Sequence, residues 1–265
     1  MKEIKIRGNK FFYKDLNSKN KETILLVHGH PFDHTMWKYQ YEIFENYRLI
    51  LPDLKGYGKS DFKFDKIYIE EQALDLAFLL DELEIKKVHL IGLSMGGQII
   101  MEFSRLFPHR VKSLVIAASS PSAETQVSYN NRLQEAERIS KIGMLQYTKE
   151  SIHEYMNLKE NNEDTDVYKH LFKMMSETQS EGAVASHYGR AERRNNLPFL
   201  KHIDIPTLFI AAEIDTQFTV EQMKNIANQI PNSLFKLIRK SGHLPNMEQP
   251  DVFNNYLLEF YKTIK

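Results

Sequence analysis

Val88 to Phe107 reads VHLIGLSMGGQIIMEFSRLF, and its character changes at the centre. Val88, Leu90 and Ile91 belong to a short apolar, β-branched run, which meets Gly92-Leu93-Ser94-Met95-Gly96. Ile99, Ile100, Phe103, Leu106 and Phe107 then recur at helical spacing until Pro108 stops the pattern. Strand, G-x-S-x-G and helix, in that order, form the context of a nucleophile elbow. The constraint is steric. A strand that turns at once into a helix forces Ser94 into a strained backbone region, so positions 92 and 96 must lack bulk. The serine oxygen is held out at the sheet edge above the amino end of the helix. That end offers unpaired N–H groups and a positive partial charge to a developing oxyanion.

The 265 residues suffice for one large domain, or for a core with an insertion. Lys+Arg 35 balances Asp+Glu 35, so no overall field favours nucleic acid, an anionic membrane or a charged substrate. Cysteine is absent, which removes disulfides, thiolate chemistry and Cys-based metal sites. The first residues, MKEIKIRGNKFFYKD, alternate polar and apolar and hold no apolar signal core; no run approaches 18 uninterrupted apolar residues. The expectation is a soluble, cytoplasmic protein with neither membrane nor nucleic-acid partners.

Outward from the elbow, strands and helices alternate. EIKIR and KFFYKDL flank Gly8-Asn9, a hairpin signal; TILLV (Thr23–Val27) is a continuous apolar run, as in a strand buried on both faces. Thr35 to Glu45 is compatible with a helix, and Arg48 to Leu51 with a strand. Ile69 to Leu83 carries Ala73, Leu76, Ala77, Leu80 and Leu83 on one helical face. Val111 to Ala118 follows the elbow as a further strand. Residues 122–200 then show no convincing strand; Asn131 to Met144, Ser151 to Leu158 and Val167 to Ser176 read as helices. Strands resume at Thr207 to Ala211 and Leu234 to Ile238, with helices over about Val220 to Ile230 and Val252 to Thr263. The pattern predicts an α/β core of 1–121 and 201–265 with a mostly parallel sheet flanked by helices. A helical cap of 122–200 is inserted after the sixth strand.

A serine hydroxyl is a poor nucleophile until a base takes its proton and a third group orients that base. Elbow serines are followed in chain order by an acid and then a histidine. Of ten histidines, His243 in Ser241-Gly242-His243-Leu244-Pro245 follows the last strand, at the carboxyl edge where ligands bind. His89 lies inside the elbow strand. Asp215 follows TLFIAAE at the same edge and is favoured as the acid over Glu213, although capping of the next helix would also explain it. The oxyanion hole needs the N–H of Met95 and one from an early loop. His28-Gly29-His30-Pro31 supplies the backbone N–H of His30, with Pro31 suited to a cis bond. Gly58-Lys59-Ser60 fails as a P-loop because position 53 is Asp, and no dinucleotide or H-E-x-x-H spacing occurs. No cofactor and no metal are expected.

HGxP, D-x-x-G-x-G-x-S (Asp53–Ser60), GLSMGG and GH-x-P-x-x-E-x-P (Gly242–Pro250) together resemble the α/β-hydrolase superfamily, in its esterase, enol-lactonase and haloperoxidase-like branch. The resemblance implies Ser94, Asp215 and His243 as catalytic triad and the His30 and Met95 amides as oxyanion hole. It also implies that Asp53, Gly56 and Ser60 shape a turn and that Glu248 is a structural anchor. The function so implied is hydrolysis of small-molecule carboxylic esters or lactones through an acyl-enzyme. A cofactor-free perhydrolase, or a small-molecule receptor with a slow triad, are the alternatives. His30 departs from the aromatic or apolar residue usual at its position, and its ring is expected to line the pocket. Met144, Tyr155 and Met174 of the cap are candidate pocket residues, although packing within the cap also accounts for each. Arg132, Arg138, Arg193 and Arg194 offer a cationic partner to a substrate carboxylate, such as that of a dicarboxylate lactone, with surface ion pairing the simpler account of each.

Overall fold

A computed structural model describes residues 1–63 and 65–264. Eight strands form one sheet: β1 (Lys2–Ile6), β2 (Asn9–Leu16), β3 (Thr23–Val27), β4 (Arg48–Pro52), β5 (Val88–Leu93), β6 (Val111–Ala117), β7 (Thr207–Ala212) and β8 (Ser233–Ile238). Their order is β1-β2-β4-β3-β5-β6-β7-β8. β2 pairs antiparallel with β1 and β4, and every later pairing is parallel. The helices are α1 (Ile69–Glu82), α2 (Met95–Leu106), α3 (Gln126–Ser151), α4 (Asp166–Ser176), α5 (Ser180–Ala191), α6 (Val220–Ala227), α7 (Pro245–Glu248) and α8 (Pro250–Thr263). This is the α/β-hydrolase fold. Among the described residues, no helix is long and apolar enough to cross a membrane.

The continuous apolar run of β3 has a direct cause. Leu25 and Val27 face a cluster with Leu76, Leu80, Ile99 and Phe103, while Ile24 and Leu26 face one with Trp37, Phe44, Phe253 and Leu257. Alternate residues of the strand enter opposite cores, so none of Ile24 to Val27 is free to be polar.

At the elbow, Ser94 takes φ 55° and ψ −120°. A Cβ on Gly92 would lie 2.4 Å from the carbonyl oxygen of Gly96, and one on Gly96 only 2.1 Å from that of Val27. The first turn of α2 thus touches the backbone at the end of β3, which is why the flanking glycines are required.

Five local expectations change. The hairpin turn is Arg7-Gly8, both at positive φ, one residue earlier than Gly8-Asn9, because Ile6 pairs with Asn9. The segment 34–44 forms two 3₁₀ helices rather than an α-helix, the first capped by the Asp33 side chain on the Thr35 amide. α3 begins at Gln126, where Thr125 caps it, and runs past Met144 to Ser151 across a break at Gly143 (φ 71°, ψ 164°). Residues 151–158 hold only a short 3₁₀ turn, Ile152–Glu154. α5 had no apolar periodicity strong enough to reveal it.

α3, α4 and α5 lie between β6 and β7, and the insertion is seated through contacts without side chains. A Cβ on Gly182 would lie 2.0 Å from Gly56 O, one on Gly189 2.0 Å from Ile67 O, and one on Gly242 2.8 Å from Asn157 N. Gly96→Ala is expected to lower unfolding free energy by about 3 kcal/mol or more, since backbone rather than a flexible side chain must yield. Urea denaturation measures it.

Candidate active site

Ser94, at the carboxyl end of β5, is buried, with its amide donating to Ala117 O at 3.0 Å and its carbonyl accepting from Ser119 Oγ at 2.7 Å. Both main-chain groups are thus fixed while the hydroxyl has no hydrogen bond to any described residue. The loops after β7 and β8 carry Asp215 and His243 to the same edge. Asp215 holds His243 Nδ1 with both oxygens, at 3.1 and 3.0 Å. His243 Nε2 is buried without a partner among the described residues. Phe218 stacks on the imidazole (centroids 5.9 Å apart) and Tyr155 meets it at 6.1 Å.

Glu213 is engaged elsewhere, accepting from the Lys240 amide at 2.9 Å. Asp215 also accepts from the Gln217 amide at 2.8 Å, but the cap of α6 is Thr219 with Gln222. His89 is bonded to Ser113 Oγ at 2.8 Å inside the sheet.

Glu248 anchors the histidine loop. Its carboxylate accepts from the amides of Gly242 (3.0 Å) and Leu244 (3.1 Å), from Ser241 Oγ (3.3 Å), and from the amide of Asn157 in the insertion (2.8 Å). Burial pushes its carboxyl up, and these donors pull it back only in part.

The loop from His28 to Pro31 lies beside the serine: a Cβ on Gly29 would be 3.1 Å from Ser94 Cβ. His30–Pro31 is cis. His28 donates through Nδ1 to Gly29 O (2.8 Å) and accepts at Nε2 from the Leu54 amide (2.9 Å), which fixes one neutral tautomer. The His30 and Met95 amides donate to no acceptor among the described residues. The turn after β4 is held by Asp53, which accepts from the amides of His34 (3.1 Å) and Lys59 (3.0 Å), while Ser60 Oγ donates to Asp53 O at 2.7 Å. Asp33, His34 and Asp53 bring three potential metal ligands together, but Asp33 and Asp53 already serve backbone amides.

Tyr155 stands in the site. Met144 and Met174 are buried in the same apolar cluster as Tyr155 and Phe32, and no polar or ring contact joins them to Ser94 or His243. The His30 ring bonds through Nδ1 to Tyr57 Oη at 2.7 Å and meets the His187 ring edge-on at 4.5 Å. Burial, then the positive neighbours, pushes both histidines well below the ordinary range, so both rings are neutral at pH 7. Ser186 of α5 contacts Met95 Sδ at 3.4 Å. Arg190, on the same helix, is buried; burial first and Arg132 second push its guanidinium down to about 9, which still leaves it charged at neutral pH.

Tyr57, Ser186, His187 and Arg190 were not singled out from sequence. For the last three the signal is the spacing 183, 186, 187, 190, a helical face whose members are small or polar. Arg132 and Arg193 are not surface pairs: both bond Glu124, whose side chain is only 5% exposed. Arg138 is an outer ion pair with Glu135 and Glu150. Arg194 lines a cleft of about 520 Å³, with Arg7, Glu70 and Glu102, whose lining holds none of Ser94, Asp215 or His243.

The family described as alpha/beta hydrolase fold matches residues 22–250, and the chain belongs to it. It is 25% identical to a putative 2-succinyl-6-hydroxy-2,4-cyclohexadiene-1-carboxylate synthase of Bacillus subtilis, over 97% of this chain and 96% of that protein. A 3-oxoadipate enol-lactonase of Acinetobacter baylyi is 26% identical, over 93% and 91%. Among solved structures, a malate-bound thermophilic esterase from Thermogutta terrifontis superposes with TM-score 0.94 at 30% identity, covering 100% of this chain and 99% of that one.

Glu248→Gln places an amide N–H₂ among donors that need an acceptor. Thermal and urea unfolding are expected to show a loss of about 2 kcal/mol or more.

Proposed function

We propose that this protein is a serine hydrolase of carboxylic esters or lactones that works through an acyl-enzyme, with residues 122–200 as its cap. The observation that carries this reading is His243. Its Nδ1 lies against both Asp215 oxygens and its Nε2 is buried with no partner among the described residues, at the sheet edge that also presents Ser94. The esterase and the enol-lactonase among the relatives support the same reaction class.

In this mechanism Ser94 Oγ attacks the substrate carbonyl carbon while His243 Nε2 takes the hydroxyl proton. The carbonyl electron pair moves onto oxygen, where the His30 and Met95 amides receive it. Collapse breaks the bond to the leaving oxygen, which takes the proton from Nε2; an alcohol departs or a lactone ring opens. Water then adds to the acyl group, giving its proton to Nε2, and the second collapse releases the acid and returns the proton to Ser94. Asp215 fixes the tautomer and stabilises the imidazolium throughout. The chemistry draws on no cofactor, and the partner is the small-molecule substrate.

A fluorophosphonate probe is expected to label the protein at Ser94, and Ser94→Ala to lose labelling and ester turnover together. Asp215→Asn is expected to lower kcat by about 10⁴-fold with the fold intact. Normal labelling and turnover in Ser94→Ala would sink the proposal.

A further inference from the structure

Buried cations require a counter-charge or a full set of hydrogen bonds. Among the described residues, Lys55 and Arg190 are the lysine and arginine that are buried, each 3% exposed. Lys55 has its partner, Asp75, at 2.7 Å. Arg190 has none: its guanidinium donates no hydrogen bond to a described residue, and Nε is buried and unpartnered. The ionisable groups that act on it are Arg132 and the hydroxyls of Tyr57, Tyr155 and Tyr147, with no carboxylate among them. Glu124, the nearby acid, is shared by Arg132 and Arg193.

The unmet polarity extends towards the serine. His187 Nδ1 and Nε2 and His30 Nε2 are also buried without partners among the described residues, and the two rings are in contact. Arg190 follows Ser186 by one turn of α5, about 6 Å along the helix axis. Ser186 in turn touches Met95, the residue after Ser94. On the other side Tyr155 contacts the His243 ring. The arginine is thus placed within a short substrate's length of the reacting group, beside nitrogen atoms that have no partner among the described residues, while the nearby acid is held by two other arginines.

We propose that Arg190, assisted by Arg132 and by the His30 and His187 rings, is the subsite for a carboxylate of the substrate. The favoured substrates are then esters or lactones that carry a carboxylate, such as half-esters of short dicarboxylic acids. This rests on the ester-hydrolase reading and adds the feature that selects among esters. The planar guanidinium suits the task because it meets both carboxylate oxygens at once.

Two matched pairs test it. Monomethyl glutarate against its uncharged amide, methyl 4-carbamoylbutyrate, places the charge on the acyl side. Acetoxyacetate against acetoxyacetamide places it on the leaving side. The charged member of at least one pair is expected to show a kcat/KM at least about tenfold higher, through KM, as one charge-assisted pair supplies. In Arg190→Met that ratio falls towards one, and Arg190→Lys keeps part of it. Glutarate alone is expected to raise the Tm of the wild type and not that of Arg190→Met, with the variant's fold checked by fluorophosphonate labelling and circular dichroism. Equal kcat/KM within both pairs, or an equal glutarate shift in wild type and Arg190→Met, overturns the subsite while leaving the hydrolase reading standing. If no ester is turned over, the glutarate shift alone decides the subsite, and the hydrolase reading fails separately.

Discussion

Backbone touches backbone where α2 begins, and the arrangement of the site depends on that contact. Gly96 abuts the carbonyl oxygens of Val27 and His28, and Gly29 abuts Ser94 in return. Three consequences come from one approach. The serine is forced to positive φ, the Met95 amide at the start of α2 has no acceptor among the described residues, and the loop after β3 is drawn alongside. A side chain at the contact would separate the strand from the helix and move all three together. The strain at Ser94 is sustained because β5 is paired on both sides, by β3 and β6.

A second dependence runs through Glu248. One carboxylate gathers Ser241, Gly242 and Leu244 around His243 and also takes the Asn157 amide from the insertion. The histidine's position and the insertion's position are therefore not independent variables. Burial raises the carboxyl and disfavours its ionised form, yet the loop retains it, because no neutral side chain of that size accepts from so many donors.

The core was legible because its central strands β3, β5 and β7 had to satisfy two apolar layers and its helices one. TILLV, the elbow and the two carboxyl-edge loops left few alternatives, and Asp215 was separable from Glu213 by its distance beyond the strand. The insertion was harder to read for a physical reason. α5 turns Ser186, His187 and Arg190 inward beside only alanines and glycines, so its buried face is small or polar and a strong apolar periodicity never forms. Arg132 is visible in the sequence, but surface ion pairing is the simpler account of any single arginine; only the fold shows Glu124 divided between two arginines and Arg190 left over. Gly182 and Gly189 were the available hint, since a helix that carries two glycines seven residues apart has a close neighbour.

Those glycines carry a consequence for how this chain can diversify. With Gly182 against Gly56 and Gly189 against Ile67, no atoms remain to be trimmed between α5 and the loops beneath it. The helix cannot move closer, and any added methyl lifts it away with loss of packing on both sides. Changes at this face must therefore come from exchanging the side chains α5 presents, chiefly at 186, 187 and 190, while its axis stays in place. Selection or engineering acting on this protein meets a fixed frame with interchangeable fittings, and laboratory libraries are best concentrated on those three positions.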